Sequence, residues 1–564
     1  MSEVLTALGV LIVTGGAMLL VAHRLDLPTV PFFILGGIVA GPFVEGGLVL
    51  ELARYGIILL VFTFSTQIRF ETVRTVLSDS EAVALGQIVV LGALGTGASV
   101  VAGLSPAQAV FIGVATALSS TIVGTGLLEP EIYRNVVHGR LAESIQYVQD
   151  LAAILFLLVL GAGGFAADPI AQQLGYGVLL MAVALLVNRH VMGHLERVSE
   201  GSDELMLVSV FALLIGFLGA AELAGVSLVV AAFVAGIAFR RDPTEHLEVL
   251  NGIHSIRDFF TAVFFVTLGA LVAVPDRQAV LLAGVVILLT AVAKPAIVAG
   301  MLMRKGYGAR SATMTGLSLD QVSEFALIIA IEGLLAGLLS QSVFDAIILA
   351  AVVTMVTSSL SSRYDERLYR IGARHQIFGG PSEKVDARSD VPDDVADHVV
   401  IVGFGRQGRR LAATCERDDH PYVVVENDPT LLGELRADCE AFVFGDAMER
   451  YTWRKAGLED ARLVVSTVDS DAVSDRVLEL ASDAGVDAVL RARTRATALD
   501  LLERGAVYVN VPEVLAARQL VEHVEQVATG AISREQLRAT YRGELDRQTD
   551  AKYYTTADEL RAIG

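Results

Sequence analysis

Up to residue 362 the chain is a succession of apolar stretches joined by short polar links, more apolar helix than a soluble fold can bury. A hydrocarbon core needs about 20 apolar residues per helix, and about thirteen segments qualify as spans. They are 3–23, 27–42, 50–67, 82–103, 106–127, 142–162, 172–190, 203–223, 226–239, 258–274, 278–303, 311–335 and 341–360. The pattern predicts a polytopic α-helical membrane domain over residues 1–362. The first stretch has no basic residues ahead of it and no small-residue cleavage site before the next, so it reads as a span and not as a removable leader.

Basic residues set the orientation of such a domain. One set of links carries Arg24, Arg69, Arg74, Arg134, Arg140, Arg189, Arg197, Arg240, Arg241, Arg257, Arg304, Lys305 and Arg310, whereas the alternate set carries little beyond Arg54 and Arg277. The basic links are therefore expected on the cytoplasmic side of the cell membrane, with the N-terminus outside and the C-terminal domain inside. Elsewhere the charge is lopsided. The net charge is −20, and only Lys294, Lys305, Lys384, Lys455 and Lys552 are lysines. An acidic, lysine-poor chain argues against nucleic acid as a partner and has the composition of a halophile protein. Its two cysteines, Cys415 and Cys439, both follow the membrane part and suit a reducing compartment.

After 362 the character changes. Residues 363–396 read as a polar linker, helical at first and irregular around Gly379-Gly380-Pro381. From 397 to 515 short β-branched runs (HVVIVGFG, PYVVVEN, AFVFGD, ARLVVST, DAVLRAR, AVYVNVP) alternate with amphipathic stretches. That alternation predicts a parallel sheet covered by helices, a Rossmann-like α/β domain. Residues 516–564 read as an acidic helical tail.

The first of these strands runs directly into Gly403-Phe404-Gly405-Arg406-Gln407-Gly408 and then into a helical pattern. Three glycines at this spacing allow a tight turn, close approach of backbone to a pyrophosphate, and close helix–strand packing, with the helix N-terminus facing the phosphates. Glu426 ends the second strand about twenty residues on, where a carboxylate can bind ribose hydroxyls. Asp446, after the third strand, is a further candidate ribose or adenine contact. Gly403, Gly405, Arg406, Gln407, Gly408, Glu426 and Asp446 thus form the candidate nucleotide site, with AMP, ATP and NAD(H) all compatible. No nucleophile or metal cluster lies near this turn in the sequence, so binding without chemistry is the expectation. From 398 to about 515 the order of motifs resembles the RCK (TrkA-N) domains that gate potassium channels and antiporters.

Ionisable residues inside spans are costly and point to function. Glu143 and Asp150 lie on the sixth span, Lys294 on the eleventh, and Asp320 and Glu324 on the twelfth. Burial disfavours the charge on each, so a carboxylate and an ammonium on neighbouring helices are expected to neutralise each other until a cation or proton arrives. A site that takes one or the other, never both, is the minimum for exchange. Polar runs interrupt two spans: Ser119-Ser120-Thr121 in the fifth and Ser318 to Glu324 in the twelfth. Such runs expose backbone carbonyls in a cavity, as broken helices do. Seven spans separate them, and an odd separation reverses their direction, as an inverted repeat requires.

These residues resemble the Kef-type branch of the monovalent cation:proton antiporter-2 family. The resemblance rests on Ser119-Ser120-Thr121, Gln149-Asp150 in VQDLAAI, FFVTLG at 264–269, Lys294 and DQVSEFAL at 320–327, although Val322-Ser323 replaces the usual Gly-Gly before Glu324-Phe325. It implies an NhaA-like fold with crossing broken helices, a homodimer, and an elevator motion carrying the Asp150 site. Asp150 then exchanges a cation for a proton, with Lys294, Gln149, Ser119, Ser120, Thr121, Glu324, Asp320 and Glu143 around it. The Gln-Asp pair resembles potassium transporters, and a sodium:proton exchanger is the alternative on the same scaffold. A potassium channel gated by an RCK domain needs a pore loop such as TVGYG, which this sequence lacks. A membrane-anchored NAD-dependent enzyme needs a catalytic domain for which the soluble part leaves little room.

Overall fold

The structure is a computed structural model describing residues 3–44, 46–66, 78–124, 126–127, 137–161, 167–192, 194–195, 203–239, 247–305, 307–374, 388–392, 395–428 and 431–548. Two compact units divide it: Met1–Lys305 with Ser311–Ile371, and Gly306–Arg310 with Gly372–Gly564.

Each of the thirteen apolar segments is helical in the first unit. Among the described residues, nine runs are long and apolar enough to cross a membrane; Thr29–Phe43, Leu228–Phe239 and Phe259–Ala270 are shorter apolar helices. The remaining segment, 311–335, is split in two. Leu228–Phe239 is apolar on every side, and every residue from Val229 to Phe239 is buried, as a helix without a polar face requires. Small residues let these helices approach closely. A Cβ on Gly37 would lie 1.9 Å from the Val266 carbonyl oxygen, and one on Gly269 would lie 2.0 Å from that of Ile34. The two backbones therefore touch across a reciprocal glycine contact. Arg69, Arg74, Arg134, Arg197, Arg240 and Arg241 of the basic links lie outside the described residues, as does Gly379-Gly380-Pro381.

Two spans are broken. Pro106–Ala117 begins at Ser105, whose side chain accepts from Gln108 N–H, and stops at Leu118, where the backbone turns extended. Helix resumes at 121–124. The break falls where the polar run interrupts the span: three polar residues at mid-span turn the chain away from helix. The other is Ala309–Leu317, followed by an irregular stretch and then Glu324–Leu335, whose N-terminus is capped by Ser323. A third irregularity is the π-helical turn Leu289–Ala293 inside the long run Arg277–Lys305. It immediately precedes Lys294 and Pro295; proline offers no N–H and crowds the carbonyl four residues back, and a wide turn accommodates both.

The second unit holds a six-stranded sheet in the order β3-β2-β1-β4-β5-β6, every neighbouring pair parallel. The strands are β1 (His398–Val402), β2 (Tyr422–Glu426), β3 (Phe442–Phe444), β4 (Ala461–Ser466), β5 (Asp487–Arg491) and β6 (Tyr508–Asn510). This is the doubly wound order, with its reversal between β1 and β4, where such sheets bind ligands. Helices Pro512–Ala528 and Arg534–Gln548 form the C-terminal part, as the helical pattern predicts; 549–564 lie outside the described residues. Cys415 and Cys439 are free thiols.

Candidate functional site

The two breaks meet. Ser119 donates its hydroxyl to the Leu319 carbonyl at 2.9 Å, and the Gln321 amide donates to the Ser120 carbonyl at 3.2 Å. A second amide, from Gln146, reaches the same Ser120 carbonyl at 2.9 Å. Gly124 makes room for both: a Cβ there would lie 2.0 Å from Gln146 Nε2 and 2.8 Å from Gln321 Nε2. Behind the second break, Ser358 donates to Gln321 Oε1 at 3.1 Å and Thr354 accepts from Val322 N–H at 3.1 Å. These side chains satisfy backbone groups that the missing helical turns leave open.

Asp150 sits on helix Val137–Leu160, beside the first break and 2% exposed. Its Oδ2 accepts from the Thr121 hydroxyl at 2.7 Å, while Oδ1 has no partner. Glu324 approaches the same stretch from the second broken helix. Its Oε1 accepts from Thr121 N–H at 3.2 Å and Ile122 N–H at 3.1 Å, capping the resumed half-helix, and its Oε2 is also without a partner. A carboxylate at a helix N-terminus is stabilised by the outward-pointing N–H groups. Gln149 turns its amide oxygen to Ser119 N–H at 2.8 Å, leaving Nε2 buried and unpartnered. Among the described residues, three buried polar atoms, Asp150 Oδ1, Glu324 Oε2 and Gln149 Nε2, are therefore uncommitted around Ser119–Thr121. Unmade hydrogen bonds at this depth are expensive, which makes the locus the candidate site for a partner that completes them.

Lys294 corrects an expectation. No Asp150–Lys294 ion pair exists among the described residues. The ammonium, wholly buried, donates to Leu118 O at 2.8 Å, Gln321 O at 3.1 Å and the Ser119 hydroxyl at 3.2 Å. Leu118 O directly follows the C-terminus of helix Pro106–Ala117, where the helix dipole turns its negative end, and Gln321 O lies within the second break. A cation there holds the crossing together without touching the carboxylate. Asp320 lies within the second break, 3% exposed, with Oδ2 accepting from Ser361 at 2.5 Å and Oδ1 unpartnered. Glu143, half-buried, accepts from Tyr147 at 3.1 Å one turn along its own helix.

In the α/β unit the glycine-rich turn has the geometry its spacing predicts. Gly403 has φ +92°, open to glycine at little cost. A Cβ on Gly408 would meet the Gly403 carbonyl oxygen at 1.9 Å, so helix Arg406–Arg417 lies directly against the end of β1. Gly405 caps that helix, with Arg406 and Gln407 exposed beside it. Glu426 Oε2 accepts from Phe404 N–H at 2.7 Å, and Oε1 from Asn427 and Asp428 N–H at 2.8 and 2.9 Å. Burial pushes the Glu426 carboxyl above the usual range, opposed by those three N–H groups. Asp446 is buried, with Oδ1 bonded to Met448 N–H at 2.9 Å and Oδ2 unpartnered. Both carboxylates thus border the turn's β2 and β3 side. Among the described residues no group of three or more His, Cys, Asp or Glu is placed to hold a metal ion.

The sequence reading missed Gln146, Thr354, Ser358, Ser361 and Gly124. A signal existed for three of them: 354, 358 and 361 recur at helical spacing along one face of the apolar helix Gln341–Arg363.

A helical membrane domain crossed by two broken helices around buried carboxylates, joined to a doubly wound α/β domain, defines an ion-coupled secondary transporter. Residues 9–362 match the family described as sodium/hydrogen exchanger, transmembrane, and the chain belongs to that family. Residues 399–512 match the TrkA-N domain. The chain is therefore a cation/proton antiporter with a TrkA-N domain, and not an enzyme. It is 28% identical over 555 residues to the Escherichia coli (strain K12) protein named "Putative cation/proton antiporter YbaL", covering 92% of this chain and 98% of that one. It is also 28% identical over 535 residues to the "Putative K(+) efflux antiporter KefB" of Alkalimonas amylolytica, covering 90% and 79%. These relatives bear out the resemblance to Kef-type antiporters. Among solved structures, the sodium proton antiporter MjNhaP1 of Methanocaldococcus jannaschii aligns at 15% identity and a TM-score of 0.49, covering 65% of this chain and 98% of that one.

Proposed function

We propose that the protein exchanges K⁺ for H⁺ at Asp150, by an elevator motion that carries the crossing of the two broken helices across the bilayer. The observation that carries this reading is the Asp150 carboxylate, buried, held through one oxygen by Thr121 and open at the other. A proton or a monovalent cation completes that oxygen, and the two exclude each other because each neutralises the same charge. Glu324 Oε2 supplies a second anionic oxygen nearby. Gln149, with its oxygen already engaged, presents N–H groups to the site and is assigned the neutral place beside the carrier rather than a first ligand. Ser119 and Ser120 act through the break, as Lys294 does; Asp320 acts from within the second break, and Glu143 from the helix that carries Asp150.

Potassium is favoured by the Gln149-Asp150 pair and by the name of the KefB relative; sodium on the same site is the second reading. The α/β domain binds an adenine nucleotide over Gly403–Gly408, with Glu426 and the unpartnered Asp446 oxygen facing its ribose or base. Such binding biases transport only by favouring one conformation over another. The assembly is proposed as a homodimer in the cell membrane, with the N-terminus outside and the α/β domain in the cytoplasm, on the distribution of arginine among the links. Domain limits of 1–362, 363–396, 397–515 and 516–564 accompany this reading.

The test uses the full chain in proteoliposomes holding a pH gradient. Addition of K⁺ is expected to dissipate the gradient for wild type and not for Asp150→Asn, and Na⁺ to do so less effectively. Exchange retained by Asp150→Asn rejects the assignment; a preference for Na⁺ selects the second reading.

A further inference from the structure

We propose that the nucleotide held by the glycine-rich turn carries at least two linked phosphates, and that Arg491, at the end of β5, binds the second of them. This rests on the nucleotide reading above and adds to it a ligand class and the residue that selects it.

A doubly wound sheet delivers the C-terminal ends of its strands to one crevice. Alternation along each strand then decides which side chains stand beside the glycine-rich turn. Ala488 and Leu490 of β5 and Val509 of β6 pack with Val400 and Val402 on one face of the sheet. Arg491 and Asn510, each one residue further on, therefore take the opposite face. There Ala412 and Cys415 of helix Arg406–Arg417 pack with Ile401. Arg491 and Asn510 are direct partners in the register of β5 and β6.

The contacts of Arg491 agree with this placement. Its Nη1 donates to Gln407 Oε1 at 3.4 Å, and Gln407 is the second residue of helix Arg406–Arg417, inside the turn itself. A guanidinium one side-chain contact from the helix N-terminus adds a full positive charge to the N–H groups that receive a first phosphate. Nη2 lies 3.6 Å from Asp469 Oδ2, in the link after β4. That is too long for a hydrogen bond, and the two side chains are 23% and 31% exposed, so the ion pair is weak. Among the described residues, Arg491 Nε and Asn510 Oδ1 are buried without a hydrogen-bond partner. One long hydrogen bond and one loose ion pair leave the fork of the guanidinium open, and a phosphate takes two of its N–H groups side by side.

The strand order β3-β2-β1-β4-β5 divides the ligand between the two sides of the turn. Glu426 and Asp446 follow β2 and β3 on one side, where the adenosine is assigned. Arg491 ends β5 on the other. A single phosphate ends at the turn, whereas a second one linked to it extends the ligand towards Arg491.

Calorimetry on the full chain in detergent and magnesium-free buffer compares AMP with ADP. Wild type is expected to bind ADP at least about tenfold more tightly, the effect of one added hydrogen-bonded charge contact. Arg491→Gln is expected to lower ADP affinity about tenfold and AMP affinity less than about twofold. Asp469→Asn removes the competing carboxylate and is expected to tighten ADP about two- to threefold relative to AMP. Equal affinity of wild type for AMP and ADP, or equal loss of both in Arg491→Gln, overturns the inference and leaves the nucleotide reading standing. Binding of neither nucleotide by folded wild type rejects that reading and this inference with it. Should Arg491→Gln fail to fold, Asp469→Asn decides: selective tightening of ADP supports the assignment, and an unchanged ratio of ADP to AMP affinity contradicts it.

Discussion

Replacing Thr121 by valine removes one hydroxyl and keeps the shape of the side chain. Among the described residues that hydroxyl is the one hydrogen-bond partner of the Asp150 carboxylate, at 2.7 Å to Oδ2, the other oxygen having none. A hydrogen bond to a charged group contributes about 1.5–3 kcal/mol. The protonated carboxyl loses the same partner, so the difference between the two forms counts and the low end of that range applies. At 1.4 kcal/mol per tenfold, the apparent KM for the cation rises about tenfold. Thr121→Ser keeps the hydroxyl and is expected to stay near wild type. Both variants retain the backbone N–H that Glu324 accepts, so the cap of the resumed half-helix is intact. The assay is cation-driven proton release in proteoliposomes at a series of cation concentrations. A valine variant with unchanged KM, or a serine variant as impaired as valine, refutes the role given to this hydroxyl.

Gly408→Ala sets a Cβ 1.9 Å from the Gly403 carbonyl oxygen, a backbone atom that moves only with the strand. Overpacking of this kind costs about 1–3 kcal/mol, so nucleotide affinity measured by calorimetry on the full chain should fall roughly 5- to 100-fold. Burial, with Glu416 adding to it, pushes the Cys439 thiol up to about 12. Since the folded value lies above the unfolded one, the thiol contributes stability that is complete below the unfolded value of 9.0 and is lost as pH rises towards 12. Alkylation of Cys439 at pH 8 should accordingly run about a thousandfold slower than for an ordinary exposed cysteine, scored by mass spectrometry, and should accelerate with pH and with denaturant.

The apolar segments and the strand–helix alternation were legible because each pattern has a period set by its secondary structure, and a wrong period leaves polar groups in the wrong solvent. The glycine turn was legible because Gly403 and Gly408 answer to a positive φ and a close approach that few other residues tolerate. The polar run Ser119-Ser120-Thr121 located a break. What the pattern did not reveal was pairing. Beside the Ser119 hydroxyl, Lys294 is held by two carbonyls from breaks 176 and 27 residues away, and a carbonyl is present at every position, so no residue type announces it. Opposite charge alone, by contrast, points Lys294 to Asp150. Gln146 and Ser358 were hidden for a related reason, since each serves a group exposed by a break elsewhere in the chain. Glu426 was assigned to ribose on its position alone, whereas much of its capacity is engaged by three loop N–H groups that shape the turn.

The account turns on one carboxylate that a proton and a metal cation occupy by turns. Its most direct test is the cation dependence of exchange by reconstituted wild-type protein at several proton concentrations, with Asp150→Asn alongside. Competition at Asp150 predicts that acidification raises the apparent KM for the cation while the rate at saturating cation holds, and that Asp150→Asn exchanges nothing. A KM independent of proton concentration, or proton-coupled exchange that survives in Asp150→Asn, would contradict it.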